Sequence, residues 1–345
     1  MNREMFHAKR LFAFCLVLSL LAGCAPASAP AQTPPSAERT LFAMDTVMTL
    51  RLYEGGGEDL LDQAEERVKT LESLLSVTDE SSEIYALDHE GQAALSTDTA
   101  DLLAAALSMC RRTGGALDIS IYPVLRTWGF TTGEYAVPSE ETIAALLPLV
   151  DYTQVELNAS TASLPDRMEI DLGSVAKGYT GEDLAGLLRE NGVTSALLDL
   201  GGNIQAVGAK PDGSPWRVGI RDPEGDGNLG VAEIIDQAVV TSGGYERYFE
   251  EDGVRYWHIL DPKTGTPAHS GLVSVTVVGD SGTICDGLST ALFVMGLDKA
   301  LDHWRQYQDF EAIFVSEDGS VTITPGLQSN FALTQTNRTL TVAQP

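Results

Sequence analysis

The sequence has few basic residues, and this shortage limits the partners it can bind. Its 345 residues include 22 Lys and Arg against 49 Asp and Glu, which gives a formal net charge of −27. A surface of that charge repels nucleic acid, and no basic cluster compensates for it. We therefore expect no nucleic-acid partner. An anionic ligand would need a local source of positive charge, such as a metal ion, a lysine or a helix N-terminus.

Cysteine is also scarce, and the chain lacks the Cys and His spacings that are typical of zinc or haem sites. Of the four cysteines, Cys15 and Cys24 fall in or next to an N-terminal leader. Cys110 and Cys285 remain, far apart in sequence. They could form one disulfide in an oxidising compartment, and two isolated buried thiols are the alternative.

Several common catalytic and nucleotide-binding motifs are missing. The stretch GSVAKG at 173–178 lacks the spacing of a Walker loop, and GGNIQAVG at 201–208 is not a GxGxxG motif that opens a helix. The chain has neither a GxSxG elbow nor an HExxH pair. P-loop, Rossmann, α/β-hydrolase and zincin chemistry therefore have no support.

The N-terminus has the pattern of an export signal. A basic start is followed by the apolar run LFAFCLVLSLLA, which is too short to span a bilayer. The run ends in LAGC at 21–24, which resembles the lipobox of bacterial lipoproteins. We predict a lipoprotein signal peptide at 1–23, lipidation of Cys24 and a flexible tether at 24–40, which would anchor the protein to the cell membrane, facing outside the cytoplasm. A plain signal peptide with a chance cysteine is the alternative.

The rest of the chain is long enough for one large domain or two closely joined lobes, which we expect at 41–330, before a C-terminal tail at 331–345. Helical spacing of apolar residues predicts helices at 58–75, 99–112 (capped by Thr97 and Asp98), 139–148 and about 286–295. Strand patterns occur at 41–52, 194–210, 216–223, 231–243, 255–262 and 272–280, before a hairpin around 318–319. Helices dominate the first half and strands the second, so we predict an α+β fold of mixed sheets flanked by helices.

One lysine stands out. Lys177 lies in IDLGSVAKGYTG at 170–181, which is otherwise rich in glycine and apolar residues. It is either a solvated side chain at the start of a helix or a cation that faces something negative.

A possible metal site lies in CDGLSTALFVMG at 285–296. On a helix, Asp286 and Thr290 share a face, and a carboxylate with a hydroxyl suits Mg²⁺. The alternative is structural: Asp286 would be the helix N-cap with Ser289 at the third helical position, and Thr290 would bond back to a carbonyl.

Three other stretches carry weaker signals. RYWHILDPKTGTP at 255–267 contains His258, which on a strand is more often a half-buried side chain than a catalyst. TSGGYERYF at 241–249 offers two hydroxyls before a glycine bend, and TGGALDIS at 113–120 places Asp118 after a turn.

Taken together and in order, these stretches resemble the ApbE family of flavin transferases. The resemblance runs from about Phe42 to Gly326, and the matching blocks are MDT (44–46), GGALDIS with WGF (114–130), IDLGSVAKGY (170–179), LDLGGNIQAVG with WRVGIRDP (198–223), TSGGYERYF (241–249), HILDPKTGTP (258–267) and CDGLSTALFVMG (285–296). It implies an ApbE-like domain that moves FMN from FAD to a threonine or serine hydroxyl of a partner flavoprotein, uses Mg²⁺ and releases AMP.

The resemblance also assigns residues. The positions that it implies contact FAD are Met44, Ala116, Leu117, Asp118, Asp171, Lys177, His258, Ile259 and Leu260. Those that it implies hold Mg²⁺ are a backbone oxygen near Ser174 and the side chains of Asp286 and Thr290, with Ser289 alongside. We expect Lys177 to act on the phosphates and His258 to accept the hydroxyl proton, because an unperturbed imidazole titrates near working pH.

The chain departs from the family pattern at Asp45, where glycine is usual, and at Leu117, where phenylalanine is common. Gly287 replaces a frequent alanine, and Glu182 an aspartate. Two alternative functions stay open: an FAD pyrophosphatase that yields FMN and AMP, and a non-enzymatic flavin-binding lipoprotein. The acceptors that the family implies are exported domains of Rnf-type or sodium-pumping quinone reductase complexes.

Overall fold

The computed structural model describes residues 34–345, of which Pro35–Pro345 form one compact unit. The predicted signal peptide, Cys24 and most of the predicted tether lie outside the described residues. Within 34–345, no helix combines the length and apolar character needed to cross a membrane.

The fold is α+β, as predicted. The helices are α1 (Glu58–Leu75), α2 (Glu83–Glu90), α3 (Thr97–Arg112), α4 (Tyr122–Thr127), α5 (Glu140–Leu146), α6 (Gly173–Glu190), α7 (Gly282–Met295) and α8 (Leu297–Tyr307). The strands are β1 (Ala37–Ala43), β2 (Thr46–Glu54), β3 (Gln92–Ala94), β4 (Glu156–Asn158), β5 (Thr161–Ser163), β6 (Ser195–Leu200), β7 (Asn203–Val207), β8 (Trp216–Arg221), β9 (Asn228–Ile234), β10 (Ala238–Gly243), β11 (Tyr248–Glu251), β12 (Val254–Trp257), β13 (Leu260–Asp261), β14 (Thr266–Pro267), β15 (Leu272–Gly279), β16 (Glu311–Ser316), β17 (Val321–Ile323), β18 (Phe331–Leu333) and β19 (Leu340–Val342).

A nine-stranded sheet organises these elements, in the order β1-β2-β6-β7-β10-β15-β16-β17-β19. Its neighbouring strands are antiparallel except β17 and β19. One apolar core joins α3, α6 and α7 to β10 and β15, and a second joins α1 to β1, β2 and β6. A third core joins the sheet to the small sheet β18-β9-β8. The sheet is thus covered on both faces.

Two stretches predicted as single strands are hairpins. Residues 41–52 belong to β1 and β2, which meet at a two-residue turn where Met44 and Asp45 have φ of 49° and 58°. The turn contains no glycine, so the pattern concealed it; both residues adopt the left-handed conformation that a type I′ turn requires. Residues 231–243 likewise split into β9 and β10.

The domain also extends beyond its expected limits. β1 begins at Ala37, within the expected tether, and pairs with β2. At the other end, β18 pairs with β9 and β19 with β17, so the expected tail 331–345 is part of the folded unit.

The helix starts differ from the predicted ones in a way that matters for the site. Ser96, not Thr97 or Asp98, caps α3 by accepting from the Thr99 N–H. Helix α7 starts at Gly282, and the Ser281 hydroxyl is its N-cap. Asp286 therefore lies inside the helix, and its interpretation as an N-cap is wrong.

Both remaining cysteines are free and buried, so the disulfide alternative is wrong. Burial raises the pKa of the Cys110 thiol to about 12 and that of Cys285 well above its usual range. Thiols in that state are inert packing groups.

Helices α6 and α7 approach closely because glycines face each other. A Cβ on Gly178 would lie 2.6 Å from the Cβ of Asp286, and one on Gly282 would lie 2.6 Å from the Gly178 carbonyl oxygen. This contact lets the Gly178 N–H donate to Asp286 Oδ2 at 2.8 Å. The glycines thereby bring the two stretches singled out in the sequence, 170–181 and 285–296, into contact.

We expect Gly178→Ala to lower the free energy of unfolding by about 1–3 kcal/mol, because an added methyl overpacks this contact. The matched control is Gly186→Ala on the same helix, where a Cβ meets nothing within 4 Å. That change should raise the free energy of unfolding by about 0.5–1 kcal/mol. Urea unfolding of both variants tests the prediction, and equal stability of the two would contradict it.

Candidate functional site

The predicted site residues converge on one cavity of about 480 Å³. It lies between the β1–β2 turn, the N-terminal turns of α6, helix α7 and the segment before β13. The predicted residues that line it are Met44, Ala116, Leu117, Asp118, Asp171, Ser174, Lys177, His258, Ile259, Leu260, Asp286 and Thr290. Ser289 is the exception: it is fully buried behind the wall.

Lys177 faces the cavity and its acidic groups. Its charge opposes the rise in pKa that burial causes at Asp171 and at Asp286. Among residues 34–345, however, no carboxylate comes within 4.0 Å of its ammonium group. Of the two alternatives for this lysine, the structure thus favours a cation that faces negative groups.

Asp286 is the most enclosed carboxyl group of the site. It is 5% exposed, and the Gly178 N–H donates to its Oδ2. Burial raises its pKa; Lys177, the Gly178 N–H and Asn203 oppose the rise. Within the described chain it forms no ion pair. A buried carboxylate without a cationic partner is costly, and a bound cation would relieve that cost.

The donors around Asp286 suit a hard cation. Thr290 lies one helical turn further along α7 and lines the same cavity, as does Ser174 in the first turn of α6. In the described part of the chain, no three His, Cys, Asp or Glu side chains cluster closely enough to hold a metal ion. Mg²⁺ fits this set of oxygen donors, which consists of one carboxylate, one hydroxyl and a backbone oxygen. Water and substrate phosphate would complete the set. The set does not fit zinc.

His258 is held as a neutral imidazole. Its Nδ1–H donates to the Arg247 carbonyl oxygen at 3.2 Å, and the ring edge meets Phe130 at 6.2 Å between centroids. Desolvation lowers its pKa to about 4. The expectation that it titrates near working pH is therefore wrong for this cavity. With Nδ1 protonated and bonded, Nε2 is left as a hydrogen-bond acceptor.

Asp118 and Asp171 shape the backbone around the cavity. Asp118 Oδ1 accepts from the N–H and the hydroxyl of Ser120, and its Oδ2 accepts from the Tyr152 N–H at 3.2 Å. Asp171 Oδ1 accepts from the Gly173 N–H at 2.7 Å. Burial raises the pKa of both carboxyl groups.

Several residues at the cavity are not among those predicted from the sequence. Arg247 adds the second cation and donates to the Phe130 carbonyl oxygen. Glu72 on α1 accepts from the Met44 N–H at 2.5 Å and so holds the β1–β2 turn. Ser242 and Asn203 also line the cavity. Arg247 could have been found, because an acidic protein needs local cations and this arginine lies in a block already singled out; Glu72 carries no sequence signal.

A model of the ApbE family matches residues 44–314. The chain belongs to the ApbE family. A relative from Treponema pallidum, named FAD:protein FMN transferase, is 35% identical over 314 residues, which cover 84% of this chain and 87% of the relative. Another relative of that name, from Klebsiella pneumoniae, is 32% identical over 297 residues, which cover 84% of this chain and 92% of the relative.

Solved ApbE structures share the fold. The crystal structure of the ApbE protein from Thermotoga maritima superposes with a TM-score of 0.80 at 31% identity, covering 85% of this chain and 98% of that one. The crystal structure of the apo form of the flavinyl transferase ApbE from Pseudomonas stutzeri superposes with a TM-score of 0.76 at 30% identity, covering 85% of this chain and 96% of that one. The α+β prediction is confirmed, and this ApbE-family protein is an enzyme of the transferase class.

Two of the four departures from the ApbE pattern, Glu182 and Gly287, have local explanations. Glu182 on α6 reaches the start of α7, where its Oε2 accepts from the Ser281 hydroxyl at 2.7 Å and the Thr283 N–H at 3.1 Å. A Cβ on Gly287 would lie 2.7 Å from Met109 Cγ, so glycine fits this packing where alanine would not. Leu117 is 4% exposed and lines the cavity edge.

Asp88 supports the cavity from behind and provides a pH test. Its Oδ1 accepts from the Ile170 N–H at 2.8 Å, next to Asp171, and burial raises the pKa of Asp88 to about 8. Because the folded-state pKa exceeds the ordinary value of 3.8, this group's contribution to stability is full below pH 4 and is lost as the pH rises to about 8.

We expect Asp88→Asn to unfold at higher denaturant concentration than the parent at pH 8.5, because the amide keeps an acceptor for Ile170 without a buried charge. At pH 4 the two should be equally stable. Asp101→Asn, on the exposed face of α3, is the control and should leave the denaturant midpoint unchanged at both pH values. Chemical unfolding at both pH values measures this, and a parallel pH profile for Asp88→Asn and the parent would refute it.

Proposed function

We propose that this protein transfers FMN from FAD to the hydroxyl of a threonine, or a serine, in a partner flavoprotein and releases AMP. The relatives named FAD:protein FMN transferase support this assignment. The single observation that carries it is the cavity itself, where Thr290 and the buried Asp286, which forms no ion pair with a described residue, lie beside Lys177 and Arg247. Positive charge is scarce in this chain, and here two cations face one cavity.

The ligand must bring phosphate into a strongly acidic molecule. The diphosphate of FAD carries two negative charges, which Lys177 and Arg247 can attract across the cavity. We propose that Asp286, Thr290 and a backbone oxygen near Ser174 hold Mg²⁺. When bound, Mg²⁺ would neutralise phosphate oxygens and the charge that develops on them during transfer. Asp286 would then have the cationic partner that it lacks.

The chemistry that follows is a phosphoryl transfer. The acceptor hydroxyl oxygen forms a bond to the phosphorus on the FMN side, and the bond between that phosphorus and the oxygen bridging to AMP breaks. AMP leaves with that oxygen, and the hydroxyl proton passes to water. Lys177 stabilises charge on the phosphates, and the other cavity residues hold the reacting atoms in line, so the enzyme supplies position and electrostatics.

His258 fits a role in orienting the hydroxyl. Its neutral ring presents Nε2, which can accept a hydrogen bond from the acceptor hydroxyl and relay its proton to water. With a pKa of about 4 it does not retain that proton near neutral pH. The Arg247 carbonyl fixes the tautomer.

We also propose that the lipid on Cys24 and the segment after it tether the domain at the outer face of the cell membrane. The acceptors that suit this location are exported domains of Rnf-type or sodium-pumping quinone reductase complexes. A thioether-linked lipid on Cys24, detected by mass spectrometry of the protein from membranes, would support the anchor.

The transfer is tested with purified protein, FAD, Mg²⁺ and an exported flavin-carrying domain of such a complex. We expect the acceptor to gain the mass of one FMN and an equal amount of AMP to appear, with neither change after Asp286→Asn or when the acceptor threonine is valine. AMP without an acceptor mass increase would indicate an FAD pyrophosphatase. FAD retained without AMP, with or without Mg²⁺, would indicate a flavin-binding protein.

We expect His258→Ala to reduce the transfer rate by about 10²–10⁴-fold, the range for a positioned proton-transfer group, while FAD remains bound. His269→Ala is the matched control, because His269 is exposed and does not line the cavity. Single-turnover transfer rates and flavin fluorescence measure the two quantities. Full transfer by His258→Ala with FAD bound would remove His258 from the mechanism.

A further inference from the structure

Three hydroxyl groups form a chain at the cavity wall, where Ser242 and Thr290 line the cavity and Ser289 is buried behind them. Ser289 Oγ on α7 lies 2.8 Å from the Asp286 carbonyl oxygen, and Ser242 Oγ on β10 lies 2.7 Å from Ser289 Oγ. Thr290 Oγ1 follows, 3.3 Å from Ser242 Oγ. The chain thus runs from a backbone carbonyl through a strand residue to a side chain that lines the cavity.

When all three contacts are hydrogen bonds, the hydrogen atoms of this chain can be placed in only one way. Each hydroxyl has one hydrogen to donate, and a carbonyl oxygen can only accept. Ser289 must therefore donate to the Asp286 carbonyl. Ser242 must then donate to Ser289, which has no second hydrogen. Thr290 must in turn donate to Ser242.

We infer that Ser242 and Ser289 are positioning residues that fix the Thr290 hydroxyl as a donor to Ser242, which leaves the Thr290 Oγ1 lone pairs for a ligand in the cavity. A hydroxyl group whose hydrogen is held in this way can coordinate a cation through its lone pairs, and it cannot donate a hydrogen bond to a phosphate. The inference rests on the proposed function, since it makes Thr290 a ligand for the proposed Mg²⁺. It also reassigns Ser289, which supports the metal site from behind.

The two serines are well placed for this role. Ser289 is fully buried, and Ser242 belongs to β10, whose backbone pairs with β15 along the centre of the large sheet. The sheet therefore holds the Ser242 hydroxyl while α7 holds Thr290. Removing a group that orients a metal ligand typically weakens metal binding by about 10–100-fold.

The test compares Ser242→Thr with Ser242→Val, because the two side chains have nearly the same shape and differ in the hydroxyl. Mn²⁺ serves as the probe metal, titrated into the protein alone and followed by the electron paramagnetic resonance of free Mn²⁺. We expect Ser242→Val to weaken Mn²⁺ binding by about tenfold or more and Ser242→Thr to bind within a few-fold of the parent. Ser289→Ala should have a smaller effect, because Ser242 can still accept from Thr290.

Ser274→Ala is the control, since Ser274 is a buried serine on the neighbouring strand and does not line the cavity. It should therefore bind Mn²⁺ and, without metal, FAD as the parent does. Equal affinities for Ser242→Thr and Ser242→Val, with Asp286→Asn unable to bind, would overturn the inference and leave the metal site intact. A parent protein that binds no Mn²⁺, either alone or with FAD present, would remove the metal from the proposed function and the inference with it.

Discussion

The site depends on one hydrogen bond, from the Gly178 N–H to the Asp286 carboxylate. It joins the helix that carries Ser174 and Lys177 to the helix that carries Asp286 and Thr290. Because both helices present glycine at the crossing, their backbones come close enough for a main-chain donor to reach a buried acid. A larger side chain at either glycine would move the helices apart, and the cation and the carboxylate would no longer share a cavity.

The second constraint is electrostatic. Asp118, Asp171 and Asp286 line the cavity with pKa values raised by burial, and none forms an ion pair within the described residues. Their partners are backbone N–H groups and a serine hydroxyl, which fix their geometry without neutralising their charge. A cavity of this kind favours a cation, and a cation in turn favours phosphate. Local arrangement thus reverses the repulsion expected from a net charge of −27.

Much of this site could be predicted from sequence, because its residues lie in short blocks whose order is specific. The local pattern predicted helix α1 correctly to its end residues and placed Asp286 and Thr290 on one helix face. It failed where a tertiary contact decides the outcome. The β1–β2 turn forms without glycine, and Glu72, near the end of α1, accepts from the Met44 N–H and supports it. The start of α7 was missed because a capping serine and Glu182 of another helix stabilise it together.

The direction of hydrogen bonds explains what residue identity alone left open. By residue type, His258 could be a charged or a neutral imidazole, and Thr290 could donate to phosphate or accept a metal. The Arg247 carbonyl requires a hydrogen on Nδ1, and the Ser242–Ser289 chain requires the Thr290 hydrogen to point to Ser242. Both groups therefore offer lone pairs to the cavity. Lys177 and Arg247 supply the positive charge there, so the protein separates its acceptors, which suit a hydroxyl and a metal ion, from its cations, which suit phosphate.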